Sequence, residues 1–369
     1  MSGATACMPL LPPPSPLHGS AAMAAVERRQ PGAVETTKTG GSEGTLVGCV
    51  VKSHGNEDCA GNDDGDVMMS RPRAVVQTLT CERKPFCEGF ALWRSIGRPE
   101  LPELDPILSF DEFEFSAPAG FPDHPHRGFE NVTYMLEGGI SYHDFSGHKG
   151  TISTGDVQWL TAGRGVVHAE MPAGQGVQRG INIWINLSAA DKMYALRRGE
   201  PRHPRRRHRR RRLRQGHRGR VPRDARSPLR PGTPALCLDV ALRPGARLRQ
   251  PVPRGWSACA YVIHGEAAFA SNDGSTVAAA ARTLVVFGGD GDGVEVRAQA
   301  DDAAEQGQGA RVLLVAARPH GEAVVRDGPF VMNSTEEVEQ AREDYRRRRN
   351  GFEMADGWTS DHASTVATH

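Results

Sequence analysis

The sequence predicts an all-β protein built from two successive small β-barrels, with a C-terminal helix and a long N-terminal extension outside them. Three observations carry that expectation. From about Arg73, short runs rich in β-branched and aromatic residues follow one another, separated by glycine-rich turns such as EGG (137–139), SGHKG (146–150) and AGRG (162–165). Short strands at this spacing belong to a sandwich or barrel. A second such block follows, and its YVIHGEAAF (261–269) aligns with YMLEGGISY (134–142) of the first, a weak repeat about 130 residues apart. Finally, 42 glycines and 26 prolines suit a turn-rich chain, and no apolar run approaches the ~18–20 residues a membrane helix needs.

In chain order, residues 1–72 are rich in Ala, Gly, Ser, Pro and Asp without apolar periodicity, which predicts a disordered extension. Its first acid is Glu27, a composition compatible with an organellar transit peptide. Met68 and Met69 mark an alternative start just before the folded part. Residues 73–196 form the first barrel, with strands expected at AVVQTLTC, FALWRSI, ENVTYMLEG, DVQWLTAG and RGINIWINL. Residues 226–354 form the second, with strands at PALCLDVALRPG, WSACAYVIHGEAAFAS, ARTLVVFGG, GVEVRAQ and ARVLLVAAR. NSTEEVEQAREDYRRRR (333–349) reads as a helix. Asn333 or Ser334 caps it, acids fill its first turn, and Arg346 to Arg349 complement the macrodipole at its end. Residues 355–369 are a tail.

The net charge of +1 hides an asymmetry. Residues 197–230 hold sixteen arginines and no lysine, with only Glu200 and Asp224 as acids; the remainder of the chain carries about −13. That acidic body excludes a general nucleic-acid surface. The seven cysteines (Cys7, Cys49, Cys59, Cys81, Cys87, Cys237, Cys259) show no zinc-ribbon or redox spacing, so a reducing compartment is expected.

Two strings carry the chemistry. FPDHPHRGFE holds His124, His126 and Glu130, and GRGVVHAEMP holds His168 and Glu170. On a strand, residues i and i+2 share a face ~6.6 Å apart. The pairs His124/His126 and His168/Glu170, on facing strands, can therefore converge four ligands on one ion. A single histidine among the chain's fourteen is more often a surface or core residue, as His203 and His208 illustrate; two such pairs beside glycine turns point to a metal. Three imidazoles and a carboxylate suit Fe(II), with Mn, Ni or Cu also compatible, and suit Mg or Ca poorly. Zinc more often closes a tetrahedral site.

These strings, with RSIGRPEL (94–101), FDEF (110–113), YMLEGGISYHDFSGHKG (134–150) and GPFVMN (328–333), resemble the pirin family of the cupin superfamily over about residues 73–196 and 226–354. The resemblance implies a bicupin with its metal in the N-terminal barrel. Its ligands carry over to His124, His126, His168 and Glu170. The general cupin pattern would instead take Glu130, which one straight strand places ~13 Å from His126 unless Arg127-Gly128 turns. The second barrel has only His264 and His320, in no such pair, and is expected to lack metal.

Two functions follow from the resemblance. One is a quercetin (flavonol) 2,3-dioxygenase, with Glu170 accepting the substrate's hydroxyl proton and Trp159 and Arg164 as candidates to line the opening. A core aromatic and a turn residue are the plainer readings of that last pair. The other is an iron-dependent transcriptional coregulator with a transcription-factor partner. The expected compartment is cytoplasmic, nuclear or both, with plastid or mitochondrion open through the extension.

Residues 197–225 depart from the family. A lysine-free run of Arg, Pro, His and Gly is what GC-rich coding sequence yields in a wrong frame, so a frameshift or misplaced intron boundary is expected; a real basic arm for nucleic acid is the rival. Reading the transcript across codons 190–230 decides between them. Another frame is expected to restore a pirin-like stretch, whereas confirmed arginine codons make the basic arm real.

Overall fold

The computed structural model describes residues 69–195, 232–299 and 309–362, together with the short strands Gly44–Leu46 and Arg197–Gly199. The expected disorder of the extension and most of the arginine tract lie outside these residues.

Two antiparallel barrels pack back to back. In the first, the large sheet has the order Arg197–Gly199, Val157–Thr161, Phe129–Glu137, Gln178–Asn186, Ile107–Phe115, Phe90–Ile96, Lys84–Cys87. Its small sheet has the order Phe121–His126, Val166–Pro172, Gly139–Asp144, Lys149–Ser153. In the second, the large sheet has the order Gly44–Leu46, Ala235–Leu242, Ala310–Ala317, Ser257–His264, Thr283–Phe287, Val75–Thr80. A four-stranded sheet from Arg247–Pro251 to Thr276–Ala280 completes it. The two large sheets face each other across a seam filled by Trp93, Val132, Trp159 and Ile183 from one side and Cys259, Tyr261, Val286 and Val315 from the other. A separate apolar core lies inside each barrel. Strands buried on both faces read as continuous apolar runs. Phe129–Glu137 is accordingly buried at every position but the last, while Val75–Thr80 alternates with period two.

The division at residue 73 does not follow the pairing. Val75–Thr80, counted with the first barrel on sequence, pairs with Thr283–Phe287 and closes the second barrel's sheet. In return, the C-terminal region wraps the first barrel. The helix Thr335–Arg346, capped by Ser334 accepting from Glu337 N at 3.2 Å, buries Val338 and Ala341 with Phe330 and Phe352 against Leu160, Val166 and Val167. It ends at Arg346; the following Arg347 is its C-cap. Among the described residues no helix is long and apolar enough to cross a membrane.

Polar groups buried in the seam form two crossed sets. Tyr261 of the second barrel donates to Glu112 of the first at 2.8 Å, and Arg179 Nε holds the other oxygen of Glu112 at 2.7 Å. Conversely, Tyr134 of the first barrel donates to Asp239 of the second, which Arg311 grips through Nε and Nη2 at 3.1 and 2.6 Å. The sets are equivalent in register. Arg179 precedes by two the residue Ile181, which opposes Glu112 and Tyr134; Arg311 precedes by two Leu313, which opposes Asp239 and Tyr261. The repeat read in the sequence is therefore structural, since its two strings begin at these tyrosines. Burial, and then the adjacent carboxylate, pushes both phenols up and keeps them protonated donors.

Removing one donor from a buried carboxylate leaves a desolvated charge short of a partner. Tyr261→Phe is expected to destabilise the protein by about 1–3 kcal/mol, read from the urea unfolding midpoint; an unchanged midpoint would show that the crossed set contributes nothing to stability.

Candidate metal centre

His124 and His126 lie on Phe121–His126, and His168 lies on the antiparallel neighbour Val166–Pro172, directly opposite His124. Period-two geometry puts the first two on one face and register brings the third to them. Ring nitrogens of the three all lie within 4.8 Å of one another, with ring centroids 4.4 to 4.9 Å apart. His126 and His168 are buried and His124 is half-buried.

The tautomers are set locally. His124 Nδ1 lies 2.8 Å from the Pro122 carbonyl, which can only accept, so the proton sits on Nδ1 and the lone pair on Nε2. That Nε2 faces His126 Nε2 at 3.0 Å. Burial pushes both imidazoles below their usual range; His126 falls well below, from burial first and the neighbouring His124 second. Both are thus neutral at physiological pH, the form that ligates. His126 Nδ1 is buried without a hydrogen-bond partner. Three converging imidazoles, two of them held neutral and one with its lone pair turned inward, fit a divalent transition metal.

The remaining sequence candidates are distributed differently. Glu170 lies two residues after His168 on the same strand, buried, opposite Tyr142 and Phe121, with a register shift between it and His168. It stands outside the compact three-imidazole group. Glu130 has another task. The chain does turn at Arg127-Gly128, where φ is +88° at Gly128 and a Cβ would meet the Val331 carbonyl at 1.8 Å. That turn carries Glu130 off the ligand sheet and onto the seam sheet. Its carboxylate accepts from Thr161 Oγ1 (2.6 Å), Gly232 N (2.8 Å) and Thr233 N (3.2 Å), anchoring the chain where the second barrel begins. Burial raises its pKa, and these donors work against that rise. Trp159 is 2% exposed in the seam core and Arg164 is an exposed turn residue paired with Glu353 at 3.1 Å. Neither touches the cluster, so both take the plainer of their two readings.

Sequence reasoning missed the residues that hold the cluster. His126 packs edge-on against Phe129 and Trp184 at 5.1 and 5.4 Å, and those two rings stack at 4.1 Å. Phe121 lies 6.2 Å from His124. Arg127, 1% exposed, clasps the Arg164 carbonyl (2.7 Å), Asp344 (3.0 Å) and the Asn350 carbonyl (2.6 Å). It thereby ties the end of the His126 strand to the turn before His168 and to the C-terminal helix. Phe129 and Arg127 flank the motif and were within reach of inspection; Trp184 and Asp344 are distant in sequence and carry no local signal.

The corresponding interior of the second barrel is filled by Val240, Phe269, Val296, Val312 and Leu314 around a void of about 10 Å³. His264 sits exposed at a strand end, and His320 bonds the Asn186 carbonyl at 3.0 Å and Thr233 Oγ1 at 3.1 Å.

A bicupin with a three-histidine cluster in its first barrel is the class that fold and site define. Comparison with known proteins narrows it: the family model described as Pirin matches residues 89–185, and that of the Pirin C-terminal cupin domain matches residues 237–351. The chain belongs to the pirin family. A pirin-like protein of Solanum lycopersicum is 46% identical over 299 residues, covering 79% of this chain and 98% of that protein. Among solved structures, a quercetin 2,3-dioxygenase from Acinetobacter baumannii matches with TM-score 0.61 at 24% identity, over 76% of this chain and 99% of that one. A bacterial pirin from Escherichia coli in complex with nickel(II) matches with TM-score 0.50 at 18% identity, over 67% and 97%. Both likenesses concern the fold.

Glu130→Ala strands two buried donors, the Thr161 hydroxyl and the Thr233 amide, and is expected to destabilise the chain by about 2–3 kcal/mol by urea denaturation, while metal bound per folded chain is unchanged. Loss of metal at unchanged stability would return Glu130 to the ligand set.

Proposed function

We propose that this chain is a metal-dependent dioxygenase of flavonol-like aromatic substrates, holding Fe(II) through His124, His126, His168 and Glu170. The observation that carries the reading is the group of three converging imidazoles, of which burial keeps His124 and His126 neutral. It is supported by the family membership and by the name of the Acinetobacter relative in fold. When bound, ferrous iron supplies Lewis acidity and one-electron redox chemistry, with coordination positions left for substrate and dioxygen.

The chain's own residues supply the rest. The Pro122 carbonyl fixes the His124 ring so that Nε2 points at its partners. The Phe129–Trp184 stack holds His126 and gives the site an apolar aromatic flank. Such a flank excludes water and suits a planar ring system. Glu170, two residues beyond His168, would serve twice: its carboxylate would complete the donor set and would accept the proton of the substrate hydroxyl.

The test is turnover of quercetin by the iron-loaded full chain, followed by absorbance loss and oxygen uptake, with metal content measured in parallel. Glu170→Gln is expected to lower turnover by about 100-fold, and His168→Ala to abolish both metal retention and turnover. Undiminished turnover in Glu170→Gln removes that residue from the reaction. If the wild-type chain consumes no flavonol, yet its ferrous and ferric forms differ in binding a protein partner, the site serves regulation instead. Nickel in place of iron in the purified protein would correct the choice of metal.

A further inference from the structure

Two glycine turns flank the ligand strands, and one loop grips both. The first, Arg127-Gly128, directly follows His126; the second, residues 162–165, ends just before the strand that carries His168. They are joined to each other, since Gly128 N donates to the Gly163 carbonyl at 2.8 Å. The loop 188–194 is closed on itself: Lys192 N donates to the Ser188 carbonyl at 3.1 Å, and Ser188 Oγ donates to Asp191 at 2.6 Å. From this loop the Tyr194 carbonyl accepts from Arg164 N at 2.8 Å, and a Cβ on Gly163 would meet that carbonyl at 2.3 Å. The same loop sends the Lys192 side chain inward to the first turn.

Lys192 is 1% exposed. Its ammonium gives one hydrogen to each of three oxygens: the Gly128 carbonyl at 2.9 Å, Asn186 Oδ1 at 2.5 Å and the Val331 carbonyl at 3.1 Å. These belong to the turn after His126, the end of the strand Gln178–Asn186 and the C-terminal strand Phe330–Met332. Val331 N donates in turn to the Arg127 carbonyl at 3.0 Å, so both carbonyls of the turn are engaged. Burial pushes the ammonium down to about 8, against the pull of Glu322 and Glu337. A charge carried into the interior at that cost is tolerated when all its donors are met, and here they converge on the turn that follows a candidate ligand.

We propose that Lys192 is a positioning residue of the histidine cluster. Its ammonium fixes the turn after His126, its loop fixes the turn before His168, and together they hold the three imidazoles in a ligating arrangement. Lys192 acts through the peptide backbone of the two turns. This role rests on the reading of the cluster as a metal centre.

Cobalt(II), read from its visible bands, is titrated into the full chain in competition with a chelator. Lys192→Met removes all three donors, and Lys192→Gln keeps two. Affinity per folded chain is expected to fall by about 10–100-fold in Lys192→Met, as for other residues that orient ligands from behind, and by less in Lys192→Gln. The seam variant Tyr261→Phe serves as the control for stability alone and is expected to keep wild-type affinity. In the metal-free chain, amide hydrogen exchange over residues 126–130 and 163–168 is expected to be faster in both Lys192 variants than in Tyr261→Phe. Wild-type affinity in Lys192→Met, or an equal loss in Tyr261→Phe, overturns the positioning role. If Lys192→Met does not fold, Lys192→Gln decides on the same terms. If the wild-type chain binds no cobalt, the metal reading itself fails, and the exchange comparison alone decides: unchanged exchange in the two turns overturns the role of Lys192.

Discussion

Two carboxylates buried between the barrels, Glu112 and Asp239, constrain the rest of the molecule. A desolvated carboxylate is tolerable only when its lone pairs are met, and each of these is completed by an arginine of its own barrel and a tyrosine of the other. Neither barrel can satisfy its acid alone. The apolar seam around them drives the sheets together without direction, while the crossed bonds fix how they meet. The exchange of Val75–Thr80 for the C-terminal hairpin and helix ties the halves further. The sheet bearing the histidines is therefore held on the far side of a barrel whose back and one end are set by the second half of the chain.

The internal repeat gives the halves the same scaffold and different interiors. In the second barrel, valines, alanines and Phe269 fill the space. In the first, the small sheet carries imidazoles, and burial has deprived them of water. Two imidazole nitrogens lie 3.0 Å apart there, close enough to share a proton or a cation. The Pro122 carbonyl, the Phe129–Trp184 stack and the Arg127 clasp hold the rings in that arrangement. Rings locked by surrounding structure are what a preorganised site requires.

The turn at Gly128 separates structure from chemistry over four residues. Before it, His126 faces the cluster; after it, Glu130 faces the seam and anchors the start of the second barrel. A general sequence pattern that counts Glu130 with the histidines does not foresee its place on the other sheet, because spacing along the chain does not reveal which sheet a strand joins. The seam arginines show the same economy, since Arg179 and Arg311 each complete a buried carboxylate while staying about one-quarter exposed.

The sequence by itself determined the all-β class, the duplication, the capped C-terminal helix and the three histidines. Each is carried by a local signal: period-two runs broken by glycine, a repeated string, an N-cap serine before acids, and i/i+2 pairing. Only the tertiary structure decided that Val75–Thr80 belongs to the second barrel, that Trp159 serves the seam, and that Trp184, Arg127 and Asp344 hold the site. Strand partners, the facing side chains of two sheets and the satisfaction of buried charges are relations between distant residues, which local propensity does not encode. They are settled when apolar faces and buried polar groups must all find partners at once.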